Sequence, residues 1–132
     1  MAAWSQAADP KAMPVENLAM PLDHHANGRP RVQLKAARAL VPTQGYIRAH
    51  DVVIEMYDER GRLEGVFLAE NCIYDRVAAA GYCAGKVRIE RLGLHIAGVD
   101  MVWHMQARSA KILSQAEVRA DRFIKGIGGL FK

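Results

Sequence analysis

From Gly85 to Arg91 the chain reads Gly85-Lys86-Val87-Arg88-Ile89-Glu90-Arg91, with charged and apolar side chains in strict alternation. Only a strand with one face on a core and one in water satisfies that pattern. The same period of two runs through His50, Val52, Ile54 and Met56, set against Asp51, Val53, Glu55 and Tyr57. It recurs in Val66, Leu68, Cys72 and Tyr74, set against Phe67, Asn71 and Ile73. Turn signals separate these runs about every ten residues. Asp58-Glu59-Arg60-Gly61 is one, with glycine where a positive φ is needed, and Leu92-Gly93 is another. Helical periodicity is scarce, so the fold class is all-β.

Leu94 to Met105 carries Gly98 in its middle, and a glycine inside a strand pattern marks a bulge. A bulge there moves the inward parity from Leu94 and Ile96 to Met101, Trp103 and Met105. Ala110 to Ala120 follows with Ile112, Ala116 and Val118 on one side. Two stretches resist the pattern. Arg31 to Val41 fits a helix through Leu34, Ala37 and Leu40 and a strand through Val32, Leu34 and Ala36, and local propensity favours the helix. Residues 1–29, with Pro10, Pro14, Pro21, His24-His25 and Asn27-Gly28, read as a lead-in segment holding at most a short edge strand over Val15 to Met20.

A weak repeat supports a stack of hairpins. Ala69, Tyr74-Asp75 and then Val87-Arg88-Ile89-Glu90 are echoed 29 to 31 positions later by Gly98, Trp103-His104 and then Glu117-Val118-Arg119. Each unit is an inward aromatic strand, a turn, and a strand with its polar face outward.

The chain of 132 residues amounts to one domain, able to bury roughly two thirds of its unfolded surface without a metal or disulfide. Its hydrophobic share of 51% includes 21 alanines, so Val, Ile, Leu, Met and a few aromatics must build the core. No apolar run approaches the ~20 residues of a bilayer-crossing helix. The formal charge of +4 favours anionic partners. Because the basic residues are scattered rather than clustered, nucleic-acid binding is not expected.

Chemistry finds little to work with. Phosphate loops, nucleophile elbows and His-Glu-x-x-His helices are absent from the sequence. The five histidines lack the spacing of a ligand set, so neither a metal nor a cofactor is expected. Cys72 has no neighbouring base, and Asp51, Asp58, Asp75 and Asp100 sit where turn-forming or solvated carboxylates belong. Catalysis is therefore not expected. Cys72 and Cys83 flank a hairpin tip; with Val77 and Ala78 at its centre, residues whose numbers sum to 155 face each other, this pair included. Either a disulfide or two small buried thiols fits that place. Ser5-Gln6-Ala7 fits both the end of an export signal and a flexible leader. The apolar and basic tail, residues 121–132, reads as a frayed end or extra edge strand more readily than as a membrane contact.

The inward series is Val52, Ile54, Met56, Val66, Leu68, Tyr74, Val87, Ile89, Met101, Trp103, Met105, Ile112 and Val118. Such residues either fill a sandwich or line a groove. Met101, Trp103 and Met105 make a soft stripe suited to flexible acyl chains, and Arg31, Lys35, Arg48 and Arg88 are candidates to border its opening.

Four segments carry a family resemblance: His50 to Gly61, Leu68-Ala69-Glu70-Asn71-Cys72-Ile73-Tyr74-Asp75, Gly85 to Glu90, and Leu94 to Trp103. Over residues 30–120 the chain resembles the periplasmic β-jellyrolls of lipopolysaccharide transport, the Lpt A/C-type or OstA-like proteins. The resemblance implies an elongated, V-shaped antiparallel β-jellyroll, and it favours strand over helix for Arg31 to Val41. It also implies an apolar groove that shields lipid A acyl chains, pairing of terminal strands with other Lpt jellyrolls, and a bridge fed by an inner-membrane ABC transporter. The location implied is the periplasm. Neither the membrane helix of C-type members nor the full export signal of A-type members is in this sequence, so the readings of an A-like shuttle, a C-like periplasmic part and a divergent relative all stand. The alternative from another class is a self-assembling or scaffold-binding β-roll with a filled core and no lipid.

Overall fold

The computed structural model describes residues 12–120, and all of its regular structure is β. Seven strands follow one another: β1 (Met13–His24), β2 (Pro30–Val41), β3 (Tyr46–Tyr57), β4 (Leu63–Asp75), β5 (Ala80–Arg91), β6 (Leu94–His104) and β7 (Ser109–Ala120). Each pairs antiparallel with the next in a single unclosed sheet, so the described residues form a roll of stacked hairpins. The fold is a jellyroll-like all-β architecture, with β1 and β7 as its edges.

A crease runs across the sheet at mid-strand. Asn17, Asp51, Gly85, Asp100 and Gln115 all have positive φ, from 54° to 88°, and each interrupts its strand near the centre. Asn17 and Asp51 lie level with Ala37 of β2, and Asp51 lies level with Glu70 of β4. Small polar side chains and glycine tolerate this left-handed conformation best. The Asp100 carboxylate also accepts a 2.7 Å hydrogen bond from the Gly85 N–H, tying the crease of β5 to that of β6.

Crossing the crease inverts the alternation. Buried positions in β3 are Ile47 and Ala49 before Asp51, then Val52 and Ile54 after it. In β2 they are Val32, Leu34 and Ala36, then Ala39. One face of the bent sheet thereby stays apolar along its whole length, and both halves contribute to one core. The far ends also meet, since Arg31 at the start of β2 donates to the Met105 carbonyl beyond β6.

Several sequence expectations change for this reason. In β4 the inward residues are Phe67 and Ala69, then Cys72 and Tyr74. Val66 and Leu68 lie on the outer face, because the inversion at Glu70 separates them from the parity of Cys72 and Tyr74. His50 likewise points away from the core. In β6 the inversion comes at Asp100, whereas Gly98 stays inward beneath Ile112, whose Cγ2 leaves no room for a Cβ there. Val118 pairs with Ile96 but is 53% exposed, since among the described residues β7 is an edge with no strand beyond it. Arg31 to Val41 is strand, as the family resemblance favours, whereas the lead-in supplies a full 12-residue edge strand rather than a short one over Val15 to Met20. Ser5-Gln6-Ala7 and the tail 121–132 lie outside the described residues.

The half of the roll containing the hairpin tip of β4 and β5 is closely packed. Ile47, Tyr74, Gly81, Trp103 and Ala110 face one another in a row across five strands. A Cβ on Gly81 would lie 2.2 Å from Trp103 Cε2, so only glycine lets the indole lie over β5. Through that gap Tyr74 and Trp103 stack, with centroids 5.2 Å apart and planes 11° from parallel. In the next row inward Cys72 and Cys83 are directly paired and joined by a disulfide, between Ala49 and Met101.

Two outcomes are expected. Gly81→Ala lowers stability by about 2 kcal/mol or more through overpacking against Trp103, read as a shift in the urea midpoint. Replacing both cysteines by alanine costs about 3 kcal/mol for a loop of 11 residues in the same measurement.

Candidate functional site

The roll is not filled along its whole length. Between the two halves lies a cavity of about 520 Å³. Its walls come from a row that crosses the sheet: Ile54, Phe67, Ile89 and Ile96 are successive cross-strand partners in β3 to β6, and all four face it. Val32, Met56 and Leu94 extend the wall, and Trp103, Met105 and Ala110 close it from the opposite half. The indole is 3% exposed, and among the described residues its buried Nε1 has no hydrogen-bond partner.

The mouth is polar and mostly basic. His25, Arg31, Tyr57, Glu64, Arg91, His104, Arg108 and Ser109 surround it. The strand ends and turns place these groups there. A ring nitrogen of His25 lies 2.8 Å from the Tyr57 carbonyl oxygen, which holds the β1–β2 turn against the end of β3. The Tyr57 hydroxyl donates to the Glu55 carboxylate. That hydrogen bond, with burial and the carboxylate charge, pushes the phenol up to about 12. Arg91, inward by parity with Leu94, approaches Glu64 at 3.9 Å. Arg108 sits in the β6–β7 turn, where its N–H donates to the Met105 carbonyl at 3.1 Å.

Arg31 acts as the clasp of this end. Its guanidinium pairs with the Asp23 carboxylate and also donates to Met105 O, joining β1, β2 and the β6–β7 turn. Partial burial works to raise the Asp23 carboxyl, but the Arg31 hydrogen bond, the His24 backbone and the charges of Arg31 and Arg108 outweigh it and hold it below 3.8.

The expected groove residues are divided by the structure. Ile54, Met56, Ile89, Trp103 and Met105 border the cavity. Val52, Tyr74, Val87 and Met101 are buried in the filled core instead, and Ile112 packs beside them half-buried. Val66, Leu68 and Val118 form no part of the cavity wall, for the reasons of face and edge given above. Of the four cations expected at an opening, Arg31 is there, while Lys35, Arg48 and Arg88 project from the outer face, with Lys35 paired to Glu55 and Arg88 to Glu90. Sequence reasoning missed Val32, Phe67 and Ile96, and the rim groups His25, Arg91 and Arg108. The polar or glycine residue in mid-strand, Asp51, Glu70, Gly85 and Asp100, was the signal that re-phases those strands.

Among the described residues no cluster of three or more His, Cys, Asp or Glu is arranged to hold a metal, and no helix is long and apolar enough to cross a membrane. No family model and no curated protein sequence matches the chain. The arrangement offers a greasy cavity with a charged doorway, which suits an amphiphile: hydrocarbon inside, polar head at the rim.

The clasp has a pH signature. A carboxyl lowered by folding adds stability above its unfolded pKa near 3.8, and that contribution disappears as pH falls through the lower folded value. Asp23→Asn is expected to destabilise the protein at pH 7 and to lose most of that deficit by pH 2, as measured by urea midpoints across the range. A deficit independent of pH would rule out the ionised clasp.

Proposed function

We propose that this chain is a non-enzymatic lipid-binding component of lipopolysaccharide transport, shielding acyl-chain hydrocarbon of lipid A while the sugars stay in water. The observation that carries this reading is the cavity of about 520 Å³, walled mostly by apolar side chains with three arginines in its lining. That volume falls within the range of roughly 300–1,000 Å³ usual for ligand sites. Transfer of hydrocarbon into such a space is favourable by about 0.8 kcal/mol per methylene and needs no array of hydrogen bonds.

Other features support the same reading. The jellyroll-like architecture agrees with the family resemblance of residues 30–120, and the Cys72–Cys83 disulfide suits an oxidising compartment such as the periplasm. The two edge strands, β1 and β7, offer backbone groups for pairing with other jellyrolls of an Lpt bridge. In that reading the energy for movement comes from an inner-membrane ABC transporter. The self-assembling β-roll reading uses the same edges but requires no guest.

Photoreactive residues separate the two. Placed at Ile89, on the cavity wall, the group is expected to label lipopolysaccharide; placed at Leu68, on the outer face, it is expected to remain unlabelled. Equal labelling at both sites, or none at Ile89 in a folded variant, removes the groove and leaves the assembly reading.

A further inference from the structure

We propose that the cavity accepts one hydrocarbon chain at a time and selects chains with an anionic head, which Arg91 and Arg108 hold at the mouth. The inference rests on the amphiphile reading above and adds to it the occupancy and the head-group chemistry.

Volume sets the occupancy. A methylene is about the size of a water molecule, whose share of the liquid is roughly 30 Å³, so the 520 Å³ cavity holds on the order of 17 such groups. That is one acyl chain, not a bundle. The closely packed half beyond Trp103 blocks any deeper entry, because Tyr74 and the indole stack there above Gly81.

Charge sets the selection. Arg31, Arg91 and Arg108 border the mouth against one carboxylate, Glu64. Arg31 is committed to Asp23 and to the Met105 carbonyl, so it serves as a wall. Among the described residues Arg91 is held only by Glu64 at 3.9 Å, a long and exposed ion pair worth little in water. Arg108 makes no ion pair among the described residues, although its charge reaches Asp23 and helps to lower that carboxyl. A guanidinium pair at the lip of an apolar cavity is matched by a phosphate or carboxylate in the head group of the amphiphile whose chain enters, since planar forked donors bind such oxygens two at a time. The head need not be desolvated deeply, and the chain supplies most of the affinity.

The test compares decyl phosphate with decyl maltoside, both below their micelle concentrations, by isothermal titration calorimetry on the wild type and on R91Q/R108Q. Decyl phosphate is expected to bind one molecule per protein at least tenfold more tightly than decyl maltoside. R91Q/R108Q is expected to lose that preference with decyl maltoside affinity unchanged, while R91K/R108K keeps most of it. Circular dichroism of both variants must match the wild type, and the urea midpoint of R91Q/R108Q is expected to fall only slightly, because the Arg108 charge helps to hold Asp23 ionised. Equal affinity for the two heads, a preference that survives in R91Q/R108Q, or two or more chains per protein overturns the inference while leaving lipid binding intact. Inorganic phosphate alone is expected not to bind in the millimolar range. Binding of phosphate as tight as that of decyl phosphate overturns it too, because the site then reads an anion without a chain. If neither amphiphile binds, the amphiphile reading itself fails.

Discussion

The inversion of inside and outside at mid-strand is the constraint on which the rest of this protein depends. A flat strand of 12 residues would present one apolar face along a straight line, and a sheet of such strands would have nothing to cover it. Left-handed residues at Asn17, Asp51, Gly85, Asp100 and Gln115 bend the strands and re-phase their side chains together. The sheet then covers itself: Val52 and Ile54 from one side of the crease share a core with Ile47 and Ala49 from the other. Because neighbouring strands bend at matching levels, backbone pairing continues to either side of the crease.

The two halves of the roll are packed differently, and that difference produces the site. One half has a glycine, a stacked Tyr74–Trp103 pair and a disulfide, which together allow strands and rings to approach closely. The other half meets across Ile54, Phe67, Ile89 and Ile96, branched and aromatic side chains that leave space between the facing walls. Trp103 belongs to both, closing the cavity with one side of its environment and stacking with the other. Interiors usually pack with few voids, so a cavity of this size stands out in a small roll and is what the lipid-binding proposal rests on. The Asp23–Arg31–Met105 clasp keeps the two halves joined beside the cavity.

Much of this was readable in the residues. Strict alternation in Gly85 to Arg91, turn residues at Asp58 and Gly61, and the register that opposes Cys72 and Cys83 all follow from local rules. Other parts misled for identifiable reasons. Pro14 and Pro21 argue against a strand, yet β1 is an edge, where a missing N–H costs little. Arg31 to Val41 has the alanines of a helix, but strands on both sides supply partners that outweigh local preference. Val66 and Leu68 alternate correctly with their neighbours and still face outward, because one re-phasing residue, Glu70, separates them from Tyr74.

The sequence alone determined the all-β class, the turns that punctuate it and which side chains are oily, since these depend on periods of two and on turn chemistry within a few residues. Tertiary structure decided where the oily faces close and where they stay apart, and it gathered His25, Arg91 and Arg108 around one mouth from distant turns and strand ends. Those outcomes depend on how seven strands bend in register, a collective geometry that no single segment encodes.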